Sequence, residues 1–338
     1  HAEALAAFLK SCKKHRVLSS DDKLRSKEVI VGAKEWQKVC AIGVTVKKGS
    51  KIEAQYFFES YFTPYLVSDH SDSVGLFTGY YEPELRGSWR SDTTYQYPIY
   101  GLPKDLVSID LGAFRSELMG THLVGRRAKT TLIPYYTRAE INGGMLKGKQ
   151  LELLWVDSSI EAFFLHIQGS GRIVFSDGSK VRVGFAGRNG QRYTPIGREL
   201  VALNILKPDQ VSLQSIQTWL VANPVAGLEL MEKNKSYIFF HIRDGKGPVG
   251  AQGVVLTPGR SLAVDRKYLP LGAPIWLVTT EPGKAGKPIR RLVIAQDTGS
   301  AIKGPVRGDL FIGHGPKAGI IAGNMKQRGK YFLLLPKV

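Results

Sequence analysis

Three aspartates in the last third of the chain are the residues whose setting best suits acid–base chemistry. Asp265 lies in Ser261-Leu-Ala-Val-Asp-Arg-Lys-Tyr-Leu-Pro-Leu-Gly272, and Asp297 ends the apolar run Leu292-Val-Ile-Ala-Gln-Asp. Asp309 follows twelve residues later, in Gly304-Pro-Val-Arg-Gly-Asp-Leu-Phe-Ile312. A glycine-rich loop, Asp297-Thr-Gly-Ser-Ala-Ile-Lys-Gly304, separates the last two. A carboxyl at a strand end can be held partly buried, which raises its pKa, and a second carboxylate nearby raises it further. A raised pKa is what a general acid needs near neutral pH. The basic surroundings push the other way, and an aspartate at a strand end is also an ordinary turn or cap residue.

Other constellations carry less. Seven histidines show no HExxH or HxH pattern, and no GxSxG elbow occurs. Gly169-Ser170-Gly171 has neither a Walker lysine nor the dinucleotide-binding spacing. No metal or nucleotide cofactor is therefore expected. Tyr80, Tyr81, Gln168, Arg188 and Asn189 suit a sugar-binding groove, because aromatic faces stack on pyranose rings and amides bond hydroxyls. The same residues could equally be ordinary barrel packing.

The segments that carry these residues read as mainly β. A length of 338 residues suggests about two domains. With 43% apolar and 22% charged residues the chain can bury a real core, and 37 glycines and 17 prolines suit a turn-rich β protein. Ala2–Cys12 and Val29–Ala41 read as helices, with Ser20-Asp21-Asp22 capping a short one between them. Gln55–Phe62 reads as an aromatic helix face. Leu76–Pro83 turns β-prone, and Pro98 pushes Tyr95–Tyr100 to a sheet edge. Leu102-Pro103 resembles a linker. Tyr136–Asn142 reads as helical. Leu151–Asp157, Ala162–Gln168, Arg172–Phe175 and Val181–Phe185 read as short strands, the last two joined at Ser176-Asp177-Gly178-Ser179. Helices are expected at Ile196–Leu206 and Ser212–Ala222. Strand character then resumes at Tyr237–His241, Val254–Val255, Pro274–Thr279, Arg291–Ala295 and Tyr331–Leu335. The first hundred residues hold too few strands to close a sheet, so their partners should be the last hundred. That pattern gives a domain from residues 1–103 and 236–338 and an inserted one from 104–235.

Lys plus Arg number 47 and Asp plus Glu 29, for a net charge of +18. The excess favours an anionic partner: nucleic acid, a membrane surface or a cell-wall polymer. Against nucleic acid, no basic run exceeds two residues and no recognition helix is evident. Cys12 and Cys40 form no metal or thioredoxin-type pattern; they read either as two buried thiols or as one disulfide, which would imply an oxidising compartment. No apolar run approaches the roughly 18 residues of a membrane helix. His1–Lys10 lacks the order of a signal peptide and reads as a truncated start, beyond which an export signal or lipid anchor could lie.

Seven short motifs in order over Leu76–Val338 resemble the membrane-bound lytic murein transglycosylase A family. They are Phe77-Thr-Gly-Tyr-Tyr-Glu-Pro83, Gln96-Tyr-Pro-Ile-Tyr100, Arg138-Ala-Glu-Ile141, Ile167-Gln-Gly-Ser-Gly171, Phe185-Ala-Gly-Arg-Asn-Gly190, Pro258–Gly272 and Ala295–Gly315. The C-terminal part also resembles the three-aspartate domain, its namesakes falling on Asp265, Asp297 and Asp309. The first 75 residues match no motif. The resemblance implies a double-psi β-barrel from both chain ends, an inserted smaller β domain, and a groove between them. It implies cleavage of the β-1,4 bond between N-acetylmuramic acid and N-acetylglucosamine in peptidoglycan, forming a 1,6-anhydromuramic end without water. The catalytic acid falls on Asp309, with Asp297 in support or, on the alternative alignment, as the donor itself. Thr78, Tyr80, Tyr81, Gln168, Ser170, Arg188, Asn189, Asp265 and Lys303 are then expected to bind substrate. The family implies no cofactor, peptidoglycan strands and not nucleic acid as partner, a monomer, and a periplasmic place at the outer membrane, held there by a lipid. A non-catalytic cell-wall-binding module and a muramidase-type hydrolase are the rival readings.

Overall fold

The run Leu292-Val-Ile-Ala295 is buried at every position, which a strand can sustain only when both its faces are covered. The computed structural model, which describes residues 1–338 except 20, 21, 27, 28, 119, 120, 246, 284, 285 and 338, shows what covers them. The capping expected at Ser20-Asp21-Asp22 falls partly outside the described residues.

The chain begins with α1 (Ala2–His15), β1 (Lys23–Arg25), β2 (Ile30–Gly32), α2 (Ala33–Thr45), α3 (Lys51–Tyr61), β3 (Phe62–Leu66) and β4 (Gly75–Glu82). The middle holds β5 (Glu84–Ser88), β6 (Tyr97–Tyr100), β7 (Leu106–Asp110), β8 (His122–Ala128), β9 (Thr131–Ile133), α4 (Arg138–Glu140), β10 (Glu152–Val156), α5 (Ser159–Gln168), β11 (Ser170–Val174), β12 (Lys180–Arg188), α6 (Ile196–Ala202), α7 (Leu213–Ala222), α8 (Pro224–Lys233) and β13 (Ile238–Arg243). The end holds β14 (Ser261–Val264), β15 (Pro274–Thr280), β16 (Pro288–Asp297), β17 (Arg307–His314), α9 (Gly315–Asn324) and β18 (Lys326–Pro336). They form two compact units: His1–Tyr81 with Lys246–Gly313 and Lys317–Val338, and Glu82–Gly245 with His314–Pro316.

In the first unit β15, β16, β14, β17, β4 and β18 are bonded in that order, and β18 also pairs with β15, so six strands close a ring. Closure leaves no open edge within the ring. β3 pairs with β18 outside it. The ring's apolar residues share a core with α1, α2 and α3. Phe8, Trp36, Phe57, Phe58 and Phe62 meet there at ring distances of 5.1–6.4 Å. The motif-free N-terminal segment thus supplies the cover that lets β16 be apolar on both faces. A disulfide between Cys12 and Cys40 ties α1 to α2. Gln296, fully buried on β16, donates to Ala7 O (2.9 Å) and Ser11 Oγ (2.8 Å) of α1.

In the second unit the order is β13-β12-β11-β5-β10-β6, and Gly101 bridges to Phe240 of β13. Residues 82–103, grouped with the termini from sequence, supply β5 and β6 here, because Leu85 and Ile99 are buried in this unit's core with Leu154, Ile173 and Val183. Residues 236–245 do the same through β13. Pro98 lies on the edge strand β6, as expected. The strand read at Ala162–Gln168 is instead helix α5. Ser158 caps it by accepting from Glu161 N (3.2 Å), and an apolar run this short reads alike as a buried helix or strand. Gly169, at φ 76°, ends α5 and turns the chain into β11. The helix read at Tyr136–Asn142 shrinks to α4, and Ile141–Met145 follow as a wide π turn. Among the described residues no helix is long and apolar enough to cross a membrane.

Candidate active site

Pairing in the six-stranded ring brings two of the three aspartates to one face. Ala263 of β14 stands opposite Asp309 on β17 and, on its other side, opposite Asp297 at the end of β16. Residues directly opposite share a face, and two strand spacings put the two aspartate Cα atoms about 10 Å apart. The small, buried Ala263 side chain stands between them. Gly308 permits the register, since a Cβ there would lie 2.9 Å from the Phe77 ring.

β4 supplies a partner for each carboxyl. Thr78 and Tyr80, two residues apart on one face of the strand, reach Asp309 and Asp297 respectively: Thr78 Oγ1 donates to Asp309 Oδ1 (2.6 Å) and Tyr80 Oη to Asp297 Oδ2 (2.8 Å). Thr78 has one hydroxyl proton, and Arg307 Nη2 donates to the same oxygen (2.8 Å). A guanidinium cannot accept, which leaves the threonine proton free for Asp309, the direction this hydrogen bond takes. Oδ1 of Asp309 is thereby fixed as an acceptor, and a proton on this carboxyl belongs on Oδ2. Arg307 is itself held by Leu76 O (3.2 Å) and Gly308 O.

Asp297 is occupied on both oxygens. Oδ1 accepts from Ala251 N (2.9 Å) and Thr298 N (2.9 Å), and Oδ2 from Tyr80. Burial raises its pKa above the ordinary carboxylate value against the pull of these three donors, and the Asp309 charge adds to the rise. Burial likewise raises Asp309, against the Arg307 charge and the Thr78 hydrogen bond. The sign that sequence left open is thus set by desolvation, although both side chains keep part of their surface exposed. Tyr80 is pushed well above 10, first by burial and then by the two carboxylates, so it stays a donor.

The remaining expected residues divide. Asp265 is buried and does not join the pair. Its carboxylate accepts from Lys267 N (3.1 Å) and Gly304 N (2.9 Å), fastening the loop that separates Asp297 from Asp309. Tyr81 points to the other face of β4, where its ring lies against Gly319 of α9. Lys303 is exposed on the loop. In the second unit, Gln168 ends α5, Ser170 opens β11 and Arg188 ends β12. Asn189 is a correction. It is fully buried, its amide donates to Tyr136 O and Lys235 O (2.8 Å each), and its carbonyl accepts from Tyr237 N (2.9 Å) and Gln191 N (3.3 Å). A side chain so engaged staples three segments and has nothing left for a sugar hydroxyl. Arg307 was missed, although its place two residues before Asp309 on an apolar strand already puts both on one face. Ala251 N and Thr298 N carry no sequence signal, because any residue supplies a backbone donor.

Comparison with known proteins agrees with this architecture. The MltA specific insert domain matches residues 76–241 and the 3D domain residues 260–335. Membrane-bound lytic murein transglycosylase A of Vibrio cholerae serotype O1 is 34% identical over 265 residues, 77% of this chain and 65% of that protein. Its namesake in Escherichia coli K12 is 33% identical over 264 residues, again 65% of that protein, so the chain spans just under two thirds of these relatives' length. The crystal structure of a membrane-bound lytic murein transglycosylase from Agrobacterium tumefaciens superposes with a TM-score of 0.86 at 34% identity, covering 98% of this chain and 92% of that one. MltA from Neisseria gonorrhoeae gives 0.81 at 38% identity over 99% and 88%. Escherichia coli MltA with bound chitohexaose gives 0.73 at 25% identity over 99% and 90%. Two matched domains in order, and solved relatives followed over nearly their whole length, establish that the chain belongs to the membrane-bound lytic murein transglycosylase A family.

Proposed function

We propose that the protein is a lytic transglycosylase that cleaves the β-1,4 bond between N-acetylmuramic acid and N-acetylglucosamine in peptidoglycan and closes a 1,6-anhydro ring on the muramic residue. The observation that carries this reading is the asymmetry of the two carboxyls. Asp309 has one oxygen fixed by Thr78 and the other left for a proton, whereas Asp297 is bonded on both. Ordinary glycosidases need two working carboxylates, one as acid and one to activate water or attack the sugar. Here one acid suffices, because the C6 hydroxyl of the substrate is tethered to the reacting ring and supplies the proximity an enzyme nucleophile would give. Asp309 Oδ2 protonates the leaving oxygen. The carboxylate so formed takes the proton of the C6 hydroxyl as that oxygen closes on C1. Asp297, with Tyr80, keeps a polar wall beside the reacting ring and holds the Ala251 and Thr298 loops.

The chitohexaose bound by the Escherichia coli relative supports a β-1,4-linked N-acetylated glycan as ligand. Tyr80, Gln168, Ser170 and Arg188 are the residues we assign to holding it, and the +18 charge favours a polymer bearing carboxylates. The disulfide suits the periplasm, the membrane-bound relatives support attachment to a membrane, and a lipid is the anchor we assign. Digestion of sacculi in oxygen-18 water tests the chemistry. Intramolecular closure gives fragments one water lighter than the hydrolysis product, with no label at the reducing end. A labelled reducing muramic end would make the protein a muramidase, and release of no fragments at all would make it a binding module.

A further inference from the structure

In the second unit the strand register sets Arg172 opposite Arg182 and Arg182 opposite Arg243, with Glu84 opposite Arg172 on its other side. Directly opposite residues share a face, so three arginines stand in one row across β11, β12 and β13. Neighbours in such a row are about 5 Å apart at Cα, and like charges placed so weaken a sheet. The unit offsets part of this. Glu82, wholly buried, accepts from Arg172 Nε (2.6 Å) and Arg182 Nε (3.0 Å). Glu84 accepts from Arg172 Nη1 and Lys180 Nζ (3.4 Å each), and Arg182 Nη1 donates to Gly245 O (2.5 Å). Arg243, the end of the row, has no ion-pair partner among the described residues. Its stem lies over Gly184, where a Cβ would sit 2.6 Å from Arg243 Cδ.

The three arginines line a cavity of about 250 Å³ with Lys180, Val181 and the turn Asp244–Gly245. Among the described residues its lining holds four cations and one carboxylate, and Glu82 and Glu84, paired to three of those cations, leave one positive charge over. The neighbouring row on the same face, one pleat away, is Ser170, Gly184 and His241, which places the arginines beside a residue assigned above to the glycan.

We propose that this row is a subsite for a carboxylate of the peptide stems of peptidoglycan, an inference that rests on the transglycosylase reading. A single excess charge on planar guanidinium forks suits a monoanion such as a carboxylate and suits a phosphate dianion less well. Arg243 is the residue that the ligand completes. The consequence is selectivity: strands that carry peptides are held better than bare glycan.

The test uses the full chain. Turnover of intact sacculi and of amidase-treated, peptide-free strands is measured for wild type and Arg243→Gln, with melting temperature as the folding control. Binding of a soluble stem tripeptide, inorganic phosphate and random single-stranded DNA is titrated in parallel. The preference for peptide-bearing over peptide-free strands is expected to fall about tenfold in Arg243→Gln, the scale of one lost charge-assisted hydrogen bond, and tripeptide affinity to fall with it. Arg243→Lys, which keeps the charge but not the fork, should fall between. An unchanged preference and unchanged tripeptide binding in a well-folded Arg243→Gln would overturn the proposal, as would tighter binding of phosphate or DNA than of tripeptide. If wild type cleaves neither glycan, the transglycosylase reading fails, and the tripeptide titration still decides whether the row binds carboxylates.

Discussion

Two buried polar groups, one in each unit, separate chemistry from architecture. In the ring of six strands Asp309 is desolvated, raised in pKa and bonded on one oxygen only. In the second unit Asn189 is fully buried and satisfied on every side, and the nearby Arg138 donates to Asn234 O (3.0 Å), Ser236 O (2.6 Å) and His166 (2.9 Å) while lying over the Phe163 and Tyr237 rings. Both Asn189 and Arg138 stand in motifs, as Asp309 does. The difference is hydrogen-bond capacity left over. A group that has spent all its donors and acceptors on backbone holds the fold together, and one with an unspent oxygen at a partly exposed edge can act on a ligand.

The change that should cost most breaks the site and spares the fold. Asp309→Asn keeps the shape and loses the transferable proton, so turnover of sacculi should fall by about 10²–10⁴-fold; retention of a tenth of the activity would remove Asp309 from its role. Asp297→Asn should cost less. The same Asp309→Asn change should stabilise the protein at neutral pH. The folded-state pKa of Asp309 is raised, so folding favours its protonated form. That contribution is fully present below the unfolded value near 3.9 and is lost as pH rises through the folded value, beyond which the buried charge is a penalty. Melting curves should therefore show a gain at pH 7 that shrinks towards pH 4.

Next in size is the cross-link. Cys12 and Cys40 are separated by 28 residues, and opening a loop of that length should cost about 3–4 kcal/mol on the chain-entropy account. Denaturant melts of Cys12→Ser/Cys40→Ser check it. Asn189→Ala should then lower stability by about 1–3 kcal/mol through stranded buried partners, read by urea melts at constant slope. If it instead removed glycan binding from a fully stable protein, the contrast between spent and unspent polar groups would fail. The smallest effect sharpens the site. Thr78→Val takes away a hydrogen bond that lowers the Asp309 pKa, so the pH at which activity falls off on the alkaline side should move up. The rate should drop about tenfold, because Oδ1 loses the donor that steers the proton to Oδ2. An unmoved profile would reduce Thr78 to packing.

Much of the site was legible as residue types in order. Thr78 and Tyr80 alternate on a strand, Arg307 and Asp309 do likewise, and a strand's two-residue period alone assigns each pair to one face. The aspartates' burial was implied by the apolar runs that carry them. Strand boundaries in the middle of the chain were legible from the Asp177-Gly178 turn and the Pro98 edge for the same local reason. α5 was not, since periodicity over ten residues cannot tell a buried helix from a buried strand. The cap at Ser158 with Glu161 was the signal that distinguished them.

Local quantities are written along the chain itself: which segments are apolar, which turn, and which residues could carry a proton. Pairing between strands far apart in the chain was decided by tertiary structure, because a register costs loop entropy and is fixed only by burial shared across the whole sheet. That register set Asp297 and Asp309 on either side of Ala263, moved β5, β6 and β13 into the second unit, and lined up Arg172, Arg182 and Arg243. It also spent the hydrogen bonds of Asp265 and Asn189 on backbone that no sequence pattern marks as their neighbour.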